Sequence, residues 1–226
     1  LIIESKNLCN KDIEIISELI NLEVLLLGGN NLSDLHESFY KLQKLRRLSL
    51  ARNKFNKIPD VLFKLKNLEK LYLYKNKIIN IPNKFQELHK LNIITLNYNN
   101  IKEIPVSFFN LIKLKELYLD NNIIEEIPYE ILNLKELENL ELSNNKLKTI
   151  PSSLLELKNL NRISLQNNKF NISEEFYLKD PIKQITYLLA LQNNNNRALN
   201  EAKLLVVGDE RVGKTSIINR LVQQNY

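Results

Sequence analysis

The sequence predicts an α/β fold: a solenoid of short parallel strands joined by convex turns or short helices, followed by the first strand, phosphate loop and helix of a second α/β unit. Two observations carry this expectation. An asparagine recurs every 23 residues, at Asn7, Asn30, Asn53, Asn76, Asn99, Asn122, Asn145 and Asn168. A glycine-rich signature then begins at Gly208, 40 residues after the last of them.

The repeating unit is clearest mid-chain, where Leu65, Leu68, Leu71 and Leu73 are followed by Asn76, Ile78, Ile81, Pro82 and Phe85. The same frame returns as Leu88, Leu91, Ile94, Leu96, Asn99, Ile101, Ile104, Pro105 and Phe108, and again from Leu134 to Leu154. A fixed period of roughly 20–29 residues with L-x-x-L-x-L-x-x-N-x-L is the leucine-rich repeat signature. The L-x-L pair reads as a strand whose alternate side chains point inward, so each repeat adds two apolar rungs to a shared core. Asn30, Asn53, Asn76, Asn99, Asn122, Asn145 and Asn168 are expected to form a structural ladder, each short amide satisfying backbone groups where the chain leaves its strand. Prolines 59, 82, 105, 128 and 151 fix φ at one phase of five repeats, which suits a convex segment and not a strand interior.

Both ends of the array are irregular. The first unit keeps Asn7 but puts Glu4 and Cys9 in slots that are apolar elsewhere, and the chain is expected to start inside a repeat without an amino-terminal cap. The period is lost after Leu178-Lys179-Asp180-Pro181. Ile182, Ile185, Leu188, Leu189 and Leu191 then recur at helical spacing, although Leu189-Ala190-Leu191-Gln192-Asn193-Asn194 also imitates a degenerate last repeat. The expected organisation is a repeat domain over 1–178, a connecting helix or linker over 179–202, and the truncated start of a second domain over 203–226.

Lys203-Leu204-Leu205-Val206-Val207 reads as a strand, and Gly208-Asp209-Glu210-Arg211-Val212-Gly213-Lys214-Thr215 matches G-x-x-x-x-G-K-[ST]. Ser216-Ile217-Ile218-Asn219-Arg220-Leu221 follows as an amphipathic helix. In this context Gly208 and Gly213 allow a tight loop, while the backbone N–H groups from Asp209 to Ser216 surround a phosphate. Lys214 adds a positive charge, and Thr215 offers its hydroxyl to Mg²⁺.

Leu199-Asn200-Glu201-Ala202-Lys203, the loop to Thr215 and the following helix resemble the junction in Roco proteins, where leucine-rich repeats run into a Ras-like GTPase domain called Roc. The resemblance implies GTP or GDP with Mg²⁺ as cofactor in the longer protein, with none expected on this fragment. It implies slow GTP hydrolysis there, leaves room for intramolecular contact with downstream domains, and assigns any homodimer contact to a COR-like domain beyond this chain. Some members also carry a protein kinase. Glu210 and Arg211 depart from the small residues that the family often has, and bulk beside the γ-phosphate implies slow rather than fast hydrolysis.

Thirty-two basic and 26 acidic side chains leave a net charge of +6, scattered too evenly to form a nucleic-acid stripe. Cys9 is the only cysteine, so no internal disulfide is expected, and no apolar run approaches membrane-spanning length. His36 and His89 lack metal-ligand spacing. These features suggest a cytoplasmic interaction protein without direct membrane insertion.

A protein or peptide partner is expected on the concave face, where outward strand residues align in columns. One column reads Val24, Arg47, Lys70, Ile93, Glu116, Asn139, Arg162, and the next Leu26, Ser49, Tyr72, Thr95, Tyr118, Glu141, Ser164. Tyr72, Tyr74, Tyr98 and Tyr118 are the candidate contact residues, because tyrosine gives rigid contact area with a polar tip. Two function classes follow: a GTP-dependent switch with a regulatory repeat domain, or a purely protein-interaction module whose loop is vestigial or serves a signalling ATPase.

Overall fold

Seven three-residue strands lie side by side in sequence order: β1 (Val24–Leu26), β2 (Arg47–Ser49), β3 (Lys70–Tyr72), β4 (Ile93–Thr95), β5 (Glu116–Tyr118), β6 (Asn139–Glu141) and β7 (Arg162–Ser164). The computed structural model describes residues 1–170 and 180–194, and Leu1–Gln192 forms one unit. Every neighbouring pair is parallel and in 23-residue register, as in Leu48↔Leu71, Leu71↔Ile94 and Ile94↔Leu117. The central residue of each strand is buried, and the leucine or isoleucine two positions on is buried as well. Ile2 pairs with Leu26 as an isolated parallel bridge, extending the sheet beyond β1.

Each of the six connections between successive strands passes through a short 3-10 helix on the convex side. Pro59, Pro105, Pro128 and Pro151 occupy the N-cap positions of the segments Asp60–Lys64, Val106–Asn110, Tyr129–Asn133 and Ser152–Glu156. Proline suits this place because its φ is already set and its missing N–H would have no helical partner. After Pro82 the chain turns first and forms only Phe85–Glu87. Beneath these segments runs an aromatic spine, with Phe63 edge-on to Phe85 at 5.3 Å, Phe85 tilted against Phe108 at 5.1 Å, and Phe108 edge-on to Phe109 at 5.9 Å. Such pairs contribute about 0.5–1.5 kcal/mol each beyond the apolar area they bury.

The asparagine ladder sits where each strand ends. Asn99 accepts a hydrogen bond at Oδ1 from the Ile78 N–H (2.9 Å), while its Nδ2 donates to the carbonyls of Leu73 (3.1 Å) and Leu96 (2.9 Å). Asn53, Asn76, Asn122, Asn145 and Asn168 repeat this set, each reaching 21 and 26 residues back along the chain. Asn30 does the same for the first coil, accepting from Lys6 and Leu8 and donating to Ile3 and Leu27. Aspartate could not fill this role, because the site needs both an acceptor and a two-hydrogen donor. Asn7, by contrast, is exposed and itself has φ +58°.

The residue before each ladder asparagine is left-handed: Gly29, Arg52, Lys75, Tyr98, Asn121, Asn144 and Asn167 have φ between 53° and 69°. This bend keeps the sheet bonding for one more step, as in Arg52 N–H to Tyr74 O and Tyr98 N–H to Asp120 O, and then turns the asparagine inward. The signal was present in sequence, since Gly29, Asn121, Asn144 and Asn167 are the residue types that tolerate this conformation. At Gly29 a Cβ would also meet Ser5 Oγ at 2.6 Å.

Cys9, which the repeat frame places in an apolar slot, is exposed. The first coil carries left-handed residues at Ser5 and Asn7 in place of the single regular bend, and the Cys9 N–H is drawn to Asp12 Oδ2 at 2.6 Å. At the other end α1 (Pro181–Asn194) is an α-helix, begun by Asp180, whose carboxylate accepts from Lys183 N–H. Ile185 and Leu188 join the core of the repeats. The Gln192 amide pairs both ways with Ile150, donating to its carbonyl (3.0 Å) and accepting from its N–H (2.8 Å). The expected second domain, 203–226, lies outside the described residues.

Two substitutions test this account. Asn99→Ala is expected to lower stability by about 1–3 kcal/mol in urea unfolding, by leaving buried backbone groups unpaired, whereas Asn7→Ala should be close to neutral. Asn144→Val should cost about 1–2 kcal/mol in the same measurement, because a β-branched residue resists the left-handed bend; equal stability would show that the bend relaxes without strain.

Candidate concave binding face

Parallel register in 23-residue steps leaves no freedom in which outward residues become neighbours. The first outward column runs Val24, Arg47, Lys70, Ile93, Glu116, Asn139, Arg162, and the second Leu26, Ser49, Tyr72, Thr95, Tyr118, Glu141, Ser164. Neighbouring strands stand about 4.8 Å apart, so Tyr72 and Tyr118 are separated by about 10 Å with Thr95 between them.

Each tyrosine is held differently. The Arg47 guanidinium lies over the Tyr72 ring, 5.2 Å from its centroid, and the Lys75 ammonium lies 5.1 Å from that of Tyr98. The Tyr118 hydroxyl donates to Glu116 Oε2 at 2.8 Å. Burial, with this bond and the carboxylate charge adding to it, pushes the Tyr118 phenol up to about 12, so it stays a donor at physiological pH. Tyr72, Tyr74 and Tyr118 are half-buried, while Tyr98 is exposed at 47%. The structure therefore brings Tyr72 and Tyr118 to either side of one rung and leaves Tyr74 and Tyr98 past the strand ends. Thr95 is buried between Tyr72 and Tyr118 in the same column, and its hydroxyl has no hydrogen-bond partner among the described residues.

Sequence reasoning singled out the tyrosines but not the charges that organise them. Arg47, Lys75 and Glu116 touch the candidate rings; Arg47 and Glu116 carried a signal in their place in the first column, whereas Lys75 lies past the end of β3, just before Asn76. In a further column, one residue before the first, charges pair between successive coils: Arg46 with Glu69 at 2.8 Å and Lys115 with Glu138 at 3.0 Å. Arg162 likewise pairs with Glu141 at 2.9 Å. On the convex side exposed pairs such as Lys41 with Glu18 and Lys84 with Asp60 hold those carboxyls below their usual range, through the lysine hydrogen bond and charge. Exposed pairs of this kind stabilise weakly.

Other kinds of site are poorly served by the described residues. No group of three or more His, Cys, Asp and Glu is placed to hold a metal among them, and none of their helices is long and apolar enough to cross a membrane. A depression of about 410 Å³ is lined by Lys102, Glu103, Glu125, Glu126, Lys148 and Thr149. It lacks the apolar walls that small-molecule sites usually have. The phosphate-loop residues Gly208, Asp209, Glu210, Arg211, Val212, Gly213, Lys214, Thr215 and Ser216 lie outside the described residues.

A solenoid of in-register coils whose outward strand residues align in columns defines a class of scaffold that presents a surface. The family model for the leucine rich repeat matches residues 20–78, 43–101, 82–124 and 112–170, and the chain belongs to this family. No curated protein matches it. Among solved structures it is similar to a leucine-rich repeat protein of Leptospira interrogans, at 38% identity over 77% of this chain and 43% of that one, with a TM-score of 0.70. It thus spans less than half of that protein's length. Internalin C2 of Listeria monocytogenes is 25% identical over 80% of this chain and 76% of its own, with a TM-score of 0.69. A plant peptide hormone receptor, RGFR1, solved in complex with RGF2, is 29% identical over 69% of this chain and 26% of its own, with a TM-score of 0.62.

Proposed function

We propose that the chain is a protein-interaction module that holds a peptide or protein segment across its concave sheet. The observation that carries this reading is the aligned pair of outward columns, in which Tyr72 and Tyr118 flank the uncharged β4 rung and Arg47 stacks on Tyr72, with Lys75 over Tyr98 just past the strand ends. Aromatic side chains and arginine dominate the contacts that matter in protein recognition, because they bring large area at low entropy cost. The plant peptide hormone receptor of similar fold, solved in complex with RGF2, supports a peptide as partner.

A second reading, a GTP-dependent switch in a longer cytoplasmic protein, is favoured by one observation, the sequence from Gly208 to Thr215 with an apolar run before it and an amphipathic segment after it. In that reading Lys214 neutralises the β- and γ-phosphates and Thr215 holds Mg²⁺. The repeat module would then regulate or target the switch.

Replacing Tyr72, Tyr74 and Tyr118 together by alanine is expected to leave the circular dichroism of the repeats intact and to weaken a partner recovered with the wild-type chain by roughly tenfold or more. Unaltered recovery of every partner would reduce these tyrosines to surface filling. For the switch, calorimetric titration with Mg²⁺ and GTP should show binding by the protein extended beyond Tyr226, its loss in Lys214→Ala, and none by the 226-residue chain. Absence of binding by the extended protein leaves the pure interaction module as the function.

A further inference from the structure

Charge along the concave sheet is segregated. Over β2 and β3 stand Arg47, Arg52, Lys70 and Lys75, none of which has an acidic partner among the described residues. Over β5 stand Glu116 and Asp120, whose carboxylates accept only from the Tyr118 hydroxyl and the Asn121 amide among the described residues. The β4 rung between them carries Ile93, Thr95 and Asn97 and no charge. The adjoining column pairs off both its cations through Arg46–Glu69 and Lys115–Glu138 and leaves only Glu23, at the β1 edge outside the two zones. What remains is a face with a cationic end, a neutral aromatic centre and an anionic end.

We infer that this face selects an extended peptide segment of opposite polarity, with an acidic block over β2 and β3, a short uncharged centre over β4, and a basic block over β5. This rests on the interaction reading above and names the partner's chemistry. The centres of the two charged zones are about 12 Å apart at ordinary strand spacing, which an extended peptide covers in about four residues. Complementary charge of this kind fixes register and orientation more than it raises affinity. A segment of uniform charge gains at one end and is repelled at the other, whereas a segment with separated blocks gains at both.

The test is selection from displayed random peptides of about twelve residues, long enough to cross the sheet, with counter-selection on the triple variant of Tyr72, Tyr74 and Tyr118. The expected peptides carry an acidic and a basic block separated by about four residues. Their affinity by fluorescence anisotropy should fall roughly tenfold or more on Arg47→Glu with Lys70→Glu. Affinity should return when the peptide's acidic block is replaced by lysine. Glu116→Lys with Asp120→Lys, a second pair on the opposite zone, should be rescued by glutamate in the basic block. Peptides that depend on the tyrosines but show no charge segregation would overturn this inference and leave the interaction module standing. Recovery of no tyrosine-dependent peptide would overturn both.

Discussion

A buried or half-buried carboxamide at the end of each strand is the interaction on which the rest of the molecule depends. The chain must leave a parallel strand sharply after three residues, and a sharp departure strips backbone N–H and C=O groups of their sheet partners in the apolar interior. The asparagine side chain supplies an acceptor and two donors at that point, tying its own strand end to the coil before it. Leucine there would have left the same groups desolvated and unpaired, at about 1–3 kcal/mol for each. Because the bond set is the same in each coil, the coils stack without drift, and strand register follows from the ladder as much as from the strands.

The concave face inherits this regularity. Equal coils place chemically unrelated side chains in straight rows, so recognition properties arise by substitution at fixed rungs and not by rearranging loops. Stacking of Arg47 on Tyr72 and of Lys75 on Tyr98 holds long cations against flat rings, reducing the freedom they would otherwise lose on meeting a partner. The self-paired outer column does a different task, since its ion pairs bridge successive coils and leave little net field.

How much of this could be read from sequence depends on whether a position is fixed by phase or by rotamer. Strands, ladder and convex prolines were legible because each recurs at one phase with one chemical reason, and the column order follows by counting. The left-handed bend was missed because Arg52, Lys75 and Tyr98 do not announce it, although Gly29, Asn121, Asn144 and Asn167 share their phase. There the ladder overrides local preference. Cys9 departed from its slot because the first coil bends twice, at Ser5 and Asn7, and a repeat average does not describe an irregular coil. Within the concave site the tyrosines were visible from composition, but which charge faces which ring depends on side-chain torsions that spacing does not encode. The loop around Lys214 remains a reading of sequence alone.

The coil after Pro82 turns before forming its three-residue 3-10 segment, while its neighbours form five, yet the strands on either side keep register from Leu71 to Ile94 to Leu117. The two sides of the solenoid therefore tolerate change unequally. A change of local helix geometry is absorbed on the convex arc at an unchanged 23-residue period, whereas an extra residue between strand and asparagine would displace the ladder bonds of that coil. Descendants of such a chain are free to lengthen only in whole coils or to vary along the outer arc, and the spacing of the recognition rows is the quantity that their divergence leaves untouched.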